Sequence, residues 1–145
     1  MPDSIAGSPG AADAMFADDV ASRSLGIELA EVTSGGAVAR MRVTAQMVNG
    51  HDIAHGGYIF LLADTAFACA CNSHGPVTVA AGGDITFVTS ARLGDLLVAR
   101  AAERTRYGRN GIYDVTVTRE SGDGTDVVAE FRGRSRTIGP PPTRT

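Results

Sequence analysis

The chain alternates between segments of two hydrophobic periods, and one segment fits neither. From Gly57 to Asn72 the sequence is apolar nearly all round, interrupted by a single charge, Asp64. A helix without a polar face is a buried helix. At 1.5 Å per residue the segment spans about 24 Å, roughly the depth of a small domain. Around it lie strand-like runs at Leu25–Thr33, Gly36–Ala45, Val77–Thr89, Asp95–Tyr107, Gly111–Glu120 and Asp126–Ile138. In the second of these, Ala37, Ala39, Met41 and Val43 share one face and Val38, Arg40, Arg42 and Thr44 the other, as a half-buried sheet requires. Thr33-Ser34-Gly35-Gly36, Leu93-Gly94-Asp95, Gly108 to Gly111 and Ser121 to Gly124 supply turns. A short helix is expected over Ala11–Ser22 and unstructured tails over 1–10 and 140–145. The order β-β-α-β-β-β-β with short connections predicts antiparallel pairing and an α+β class, one domain over 11–139.

Composition narrows the chemistry. The 145 residues are 43% hydrophobic and 20% charged, with a net charge of −3, which argues against a nucleic-acid binder. All thirteen basic residues are arginine, so lysine Schiff-base chemistry is excluded. Residues 1–75 carry eight acids and three arginines, whereas 76–145 carry eight acids and ten arginines. A bound anion would therefore draw on the second half. No secretory signal and no membrane span are read, and the chain is expected to be cytoplasmic. Cys69 and Cys71 sit two apart on the predicted helix, cannot bridge there, and are expected to be buried free thiols.

Two details make the long helix more than core. His55-Gly56-Gly57 stands at its start, where free N–H groups attract negative charge. Asp64 lies two turns in, where an unpaired carboxylate is costly unless it has work to do. Its structural alternative is a carboxylate bonded to Thr65 or to the backbone. His51 and His55, four apart, suggest a metal, but Asp52 stands where the zinc-protease pattern has Glu and no third ligand is evident. No metal and no cofactor are expected.

The run NGH…HGG…LAD…A…CNS from Asn49 to Ser73, with the closing FRGRSRTIG, resembles the hotdog-fold thioesterases of the PaaI type over about residues 14–139. That resemblance implies a long central helix wrapped by a curved antiparallel sheet, acting in phenylacetate degradation on phenylacetyl-CoA or hydroxylated relatives. It implies Asp64 as general base or nucleophile, Gly56 as oxyanion contact, and Asn49 and His55 beside the thioester. Gly57 and Thr65 would line the substrate. Arg106, Arg109, Arg132 and Arg134 would meet the phosphates of CoA, for which arginine forks are suited. Self-association to a dimer and then a tetramer is also implied. The chain departs from the pattern at Ala81-Gly82-Gly83-Asp84-Ile85-Thr86-Phe87, where a serine is common before the run and a proline after it. Three alternatives stand beside the leading one: a thioesterase for straight-chain acyl-CoA, a hydratase, and a non-catalytic acyl-CoA sensor. A hydratase would need a histidine partnering Asp64 on the helix, and His74 lies beyond it. A sensor would be expected to carry a DNA-binding extension.

Overall fold

The computed structural model describes residues 10–121 and 124–142. Of the tails expected over 1–10 and 140–145, residues 1–9 and 143–145 lie outside the described residues, and Gly10 already opens a helix. The elements are α1 (Gly10–Ala17), α2 (Val20–Ser24), β1 (Glu28–Thr33), β2 (Gly36–Arg42), a 3-10 turn (Ala45–Met47), α3 (Gly56–Asn72), β3 (Val77–Phe87), β4 (Leu96–Tyr107), β5 (Asn110–Ser121) and β6 (Gly124–Gly139). One six-stranded sheet forms in the order β1-β2-β4-β5-β6-β3, and every neighbouring pair is antiparallel. The chain therefore crosses from β2 over α3 to the far edge of the sheet before filling its centre.

The single N-terminal helix expected over Ala11–Ser22 is in fact two. Asp19 breaks it, because its carboxylate accepts the Ser22 N–H at 2.9 Å and caps α2. The second strand stops at Arg42, three residues short of expectation, where the chain turns into the 3-10 segment. The predicted inward face of β2 is buried, with Ala37, Ala39, Met41 and Val43 all at most 3% exposed.

Helix α3 lies on the concave face of the sheet. Ile59, Leu62, Ala63, Ala66, Phe67 and Ala70 are buried in the common core with Met41, Leu97, Val115, Val117 and Phe131. The close approach of helix and sheet needs Gly133, since a Cβ there would lie 2.8 Å from three ring atoms of Phe67. Helices α1 and α2 cover a second side of α3, where Ser22 Oγ meets Thr65 Oγ1 at 2.8 Å.

One stripe of α3 is left only partly covered: Gly57, Phe60, Leu61, Asp64 and Ala68. At 100° per residue these five fall within about a 100° arc. The sheet edges also differ. β1 is six residues long, carries Glu28 and Glu31, and holds a bulge, all of which blunt an edge. β3 runs eleven residues with one acid, Asp84, and is paired on one side alone.

Candidate active site

The site residues are set by the loop that feeds α3. Asn49 organises it: its side-chain oxygen accepts the N–H of His51 at 2.9 Å and of Ile53 at 3.3 Å. Its backbone also exchanges bonds with Ile53 and Asp52, and Asp52 takes a left-handed φ of 65°, which Asp tolerates. His55 is then fixed by its N–H to Met47 O at 2.7 Å. The turn chemistry of Asn49-Gly50 is thus real, and it uses the Asn49 side-chain carbonyl and leaves the amide NH2 without a partner among the described residues.

His55 is the N-cap of α3. Its Nδ1 accepts the Gly57 N–H at 2.9 Å, so the neutral ring carries its proton on Nε2. The two glycines therefore divide their roles. Gly57 N–H is used internally, whereas Gly56 N–H has no partner among the described residues. A lone donor at the positive end of a 17-residue helix suits a developing oxyanion.

Asp64 is half-buried on the uncovered stripe and has no hydrogen-bond or ion-pair partner among the described residues. Burial raises its pKa above the ordinary 3.8, and the nearby Asp19 carboxylate raises it further. The structural alternative, a carboxylate bonded to Thr65 or backbone, is not what forms. Thr65 is 6% exposed and is turned to α2, with its hydroxyl on Leu61 O at 2.9 Å and beside Ser22 Oγ. Thr65, expected beside the substrate, thus has its hydroxyl committed to Leu61 O and to Ser22 in this structure. A residue the sequence reading missed, Asp19, takes its place near Asp64, and only its spacing to Ser22 as a helix cap hinted at it.

The four arginines do not form one cluster. Arg132 and Arg134 project from the outer face of the sheet, where Arg132 grips Asp114 at 2.7 and 2.9 Å and Arg134 meets Asp84 at 3.1 Å. The Arg132 pairing holds the Asp114 carboxyl below its usual range, despite partial burial. These are cross-strand charge pairs. Arg106 and Arg109 lie instead on the helix side, at a cavity of about 200 Å³ beyond the C-terminal end of α3. Arg106 Nε is 3.4 Å from Glu103, whose same oxygen also meets His74 Nε2 at 2.7 Å and the buried Tyr113 hydroxyl at 3.0 Å. Burial works against the Glu103 charge, but the bonds from His74 and Tyr113 outweigh it and its pKa is lowered. Ser135, 4% exposed, lines the same cavity with its hydroxyl unpartnered among the described residues.

Cys69 and Cys71 are free and buried, and burial pushes both thiols up to about 12, so neither is a nucleophile. Among the described residues no group of three or more His, Cys, Asp or Glu is placed to hold a metal ion. No helix among them is long and apolar enough to cross a membrane.

An apolar helix on a concave antiparallel sheet, with a free helix-start N–H and an unpaired acid two turns on, has close relatives. The family model of the thioesterase superfamily matches residues 51–125. The chain belongs to that superfamily. It is 44% identical over 128 residues to the acyl-coenzyme A thioesterase PaaI of Escherichia coli, covering 88% of this chain and 89% of that protein. The solved structure of the E. coli PaaI protein from the phenylacetic acid degradation operon superposes with a TM-score of 0.87 at 42% identity, covering 92% of this chain and 95% of that one. A Streptococcus mutans protein solved bound to acetyl-CoA superposes with a TM-score of 0.74 at 25% identity, over 80% of this chain and 91% of its own. The hotdog thioesterase fold expected from the Asn49–Ser73 motif is the fold observed.

Proposed function

We propose that this protein hydrolyses acyl-CoA thioesters of the phenylacetyl or hydroxyphenylacetyl type to the free acid and CoA. The observation that carries the reading is Asp64: a half-buried acid without a partner, on the stripe of α3 that its own subunit leaves open. Near neutral pH a carboxylate of raised pKa is a better proton acceptor than an ordinary one. Asp64 either deprotonates a water that attacks the acyl carbon or attacks that carbon itself. The Gly56 N–H receives the charge that builds on the carbonyl oxygen, and the dipole of α3 adds to it. His55 holds the helix start, with Nε2–H as a further donor, and Asn49 fixes the loop and offers its amide to the substrate. Water is the only co-reactant, and neither metal nor cofactor is required. The name of the E. coli relative supports the substrate class. The acetyl-CoA-bound relative supports CoA as the carrier. For the CoA phosphates, Arg109 is the better candidate, because it has no acid partner among the described residues, with Arg106 beside it at the same cavity sharing Glu103 with His74 and Tyr113. Arg132 and Arg134 are each held by an acid of their own. Action in the cytoplasm follows from the same reading.

Each site uses two chains. Gly56 and Asp64 are eight residues apart on one straight helix, so about 12 Å separates them along its axis. A reacting thioester needs base and oxyanion donor each within about 3 Å of its atoms. A twofold dimer with antiparallel α3 helices brings the start of one to the middle of the other and makes two equal sites. The apolar stripe Phe60, Leu61 and Ala68 and the long open edge of β3 support this dimer, with tetramers as pairs of dimers. Mixing Asp64→Asn with Asn49→Ala subunits should restore one good site per heterodimer. Confirmed heterodimers no more active than their parents would remove the shared site.

Function itself is tested by release of CoA thiol from phenylacetyl-, hydroxybenzoyl- and straight-chain acyl-CoA. Turnover favouring the aryl substrates is the expected result. Tight binding without turnover would make the protein a sensor, and preference for straight chains would reassign the substrate.

A further inference from the structure

The segment that departs from the family pattern ends on Phe87, and Phe87 is the residue that touches Gly56. A Cβ built on Gly56 would lie 2.7 Å from Phe87 Cζ and 3.2 and 3.3 Å from two further ring atoms. The ring therefore rests directly against the first residue of α3, beside the free N–H. On β3, Phe87 shares the helix-facing side with Ile85, which packs on the core, and with Gly83, whose Cβ would meet Phe131. Yet the Phe87 side chain is not core, because the residue is 51% exposed. Its backbone is fixed from below, since the N–H groups of Val88 and Thr89 both donate to Val128 O, at 2.7 and 3.3 Å. An immobilised strand end thus holds a half-open aromatic ring next to the one unpartnered donor of the helix start.

We propose that Phe87 is the wall against which the acyl group of the thioester lies, and that it selects aryl-bearing over short straight-chain acyl groups. The proposal rests on the thioesterase reading above. A carbonyl oxygen accepting from Gly56 N–H sits about 2.9 Å from that nitrogen. A group attached to that carbonyl is then close enough to the ring to reach the roughly 4.5–7 Å centroid range over which aromatic rings pair. The choice between the two substituents of that carbonyl follows from polarity. Phe87 and the partly buried Ile85, on the same side of β3, offer an apolar surface. The pantetheine arm of CoA carries two amides that would lose their hydrogen bonds there, whereas an acyl chain loses none.

The test compares wild type with Phe87→Leu and Phe87→Ala, measuring kcat/KM by thiol release for phenylacetyl-CoA and for butanoyl-CoA. Circular dichroism and oligomeric state serve as controls, and the leucine variant keeps the side chain apolar should the alanine variant fail to fold. The ratio of the two kcat/KM values should fall roughly tenfold in Phe87→Ala and less in Phe87→Leu, the size of one aromatic contact. A loss of the same factor for both substrates would make Phe87 a structural cover for Gly56, and unchanged kcat/KM values for both would remove it from the site. Either outcome overturns the proposal while leaving the hydrolase reading intact. Absence of turnover by the wild type on both substrates would sink both.

Discussion

Asp64→Asn removes a charge and keeps a shape, and it should move activity and stability in opposite directions. Activity falls because an amide accepts no proton and makes no acyl intermediate. Loss of a general base costs about 10²–10⁴ in kcat, or roughly 3 to 5 kcal/mol of barrier. Stability rises for an electrostatic reason. The wild-type carboxylate is half-buried, without a partner, and faces Asp19, so its folded pKa lies above its ordinary 3.8. The folded chain then holds more protons than the unfolded one between those two values. Its stability is fullest below 3.8 and declines as pH rises through the folded pKa. At neutral pH the wild type carries the whole unfavourable charge term, and the amide carries none. The variant should melt higher at pH 7, by on the order of 1 kcal/mol or a few degrees, with the gap closing toward pH 3.5. Thiol release on the best substrate and calorimetry at both pH values are the assays. Comparable kcat would take Asp64 out of the mechanism, and a variant less stable at pH 7 than at pH 3.5, relative to wild type, would mean that the carboxylate has a structural partner.

Three further expectations come from the same geometry. Gly133→Ala should lower stability by about 1–3 kcal/mol in denaturant titration, because the added methyl meets the fully buried Phe67 ring. Pairing it with Phe67→Leu should recover part of that loss. Arg109→Gln should raise KM for acyl-CoA but not for an acyl-N-acetylcysteamine, whereas Arg132→Gln, already committed to Asp114, should alter neither. Extensive chelation should leave turnover unchanged, and activity restored by a stoichiometric divalent ion would contradict the metal-free mechanism.

What was legible in the sequence followed the strength of the local signal. The long helix announced itself because few segments are apolar on every face, and β2 because strict alternation leaves one reading. The break between α1 and α2 was less visible. Asp18-Asp19 reads as helix surface until the Ser22 N–H is seen to turn back on it. The same limit applied to side chains whose role depends on distant strands. Arg132 and Arg109 look alike in sequence, and only the register of β5 against β6, which sets Asp114 opposite Arg132, separates a cross-strand charge pair from a cation with no acid partner among the described residues. Phe87 was legible only as the end of a run that departs from the family pattern, because its contact with Gly56 spans thirty-one residues of chain, beyond the reach of any periodicity.

The position of the acid follows from how α3 is covered. A helix that is apolar all round needs shelter on every side, and this subunit supplies two. The sheet takes the Ile59, Leu62, Ala66 and Phe67 side, and α1 with α2 takes the Thr65 side. The remaining stripe is bordered by Phe60, Leu61 and Ala68 and is too apolar to be left to water. Whatever covers it also dries the carboxylate at its centre. Desolvation is already the leading cause of the raised Asp64 pKa within one subunit. In the proposed dimer a second α3 over the stripe would raise it further while bringing up that chain's Gly56 N–H. Proton affinity and oxyanion donor would thus arrive together, by association, at the one charged group of the helix. On that proposal a lone subunit would have the residues of the site but neither the dryness nor the donor that make them act on one carbon.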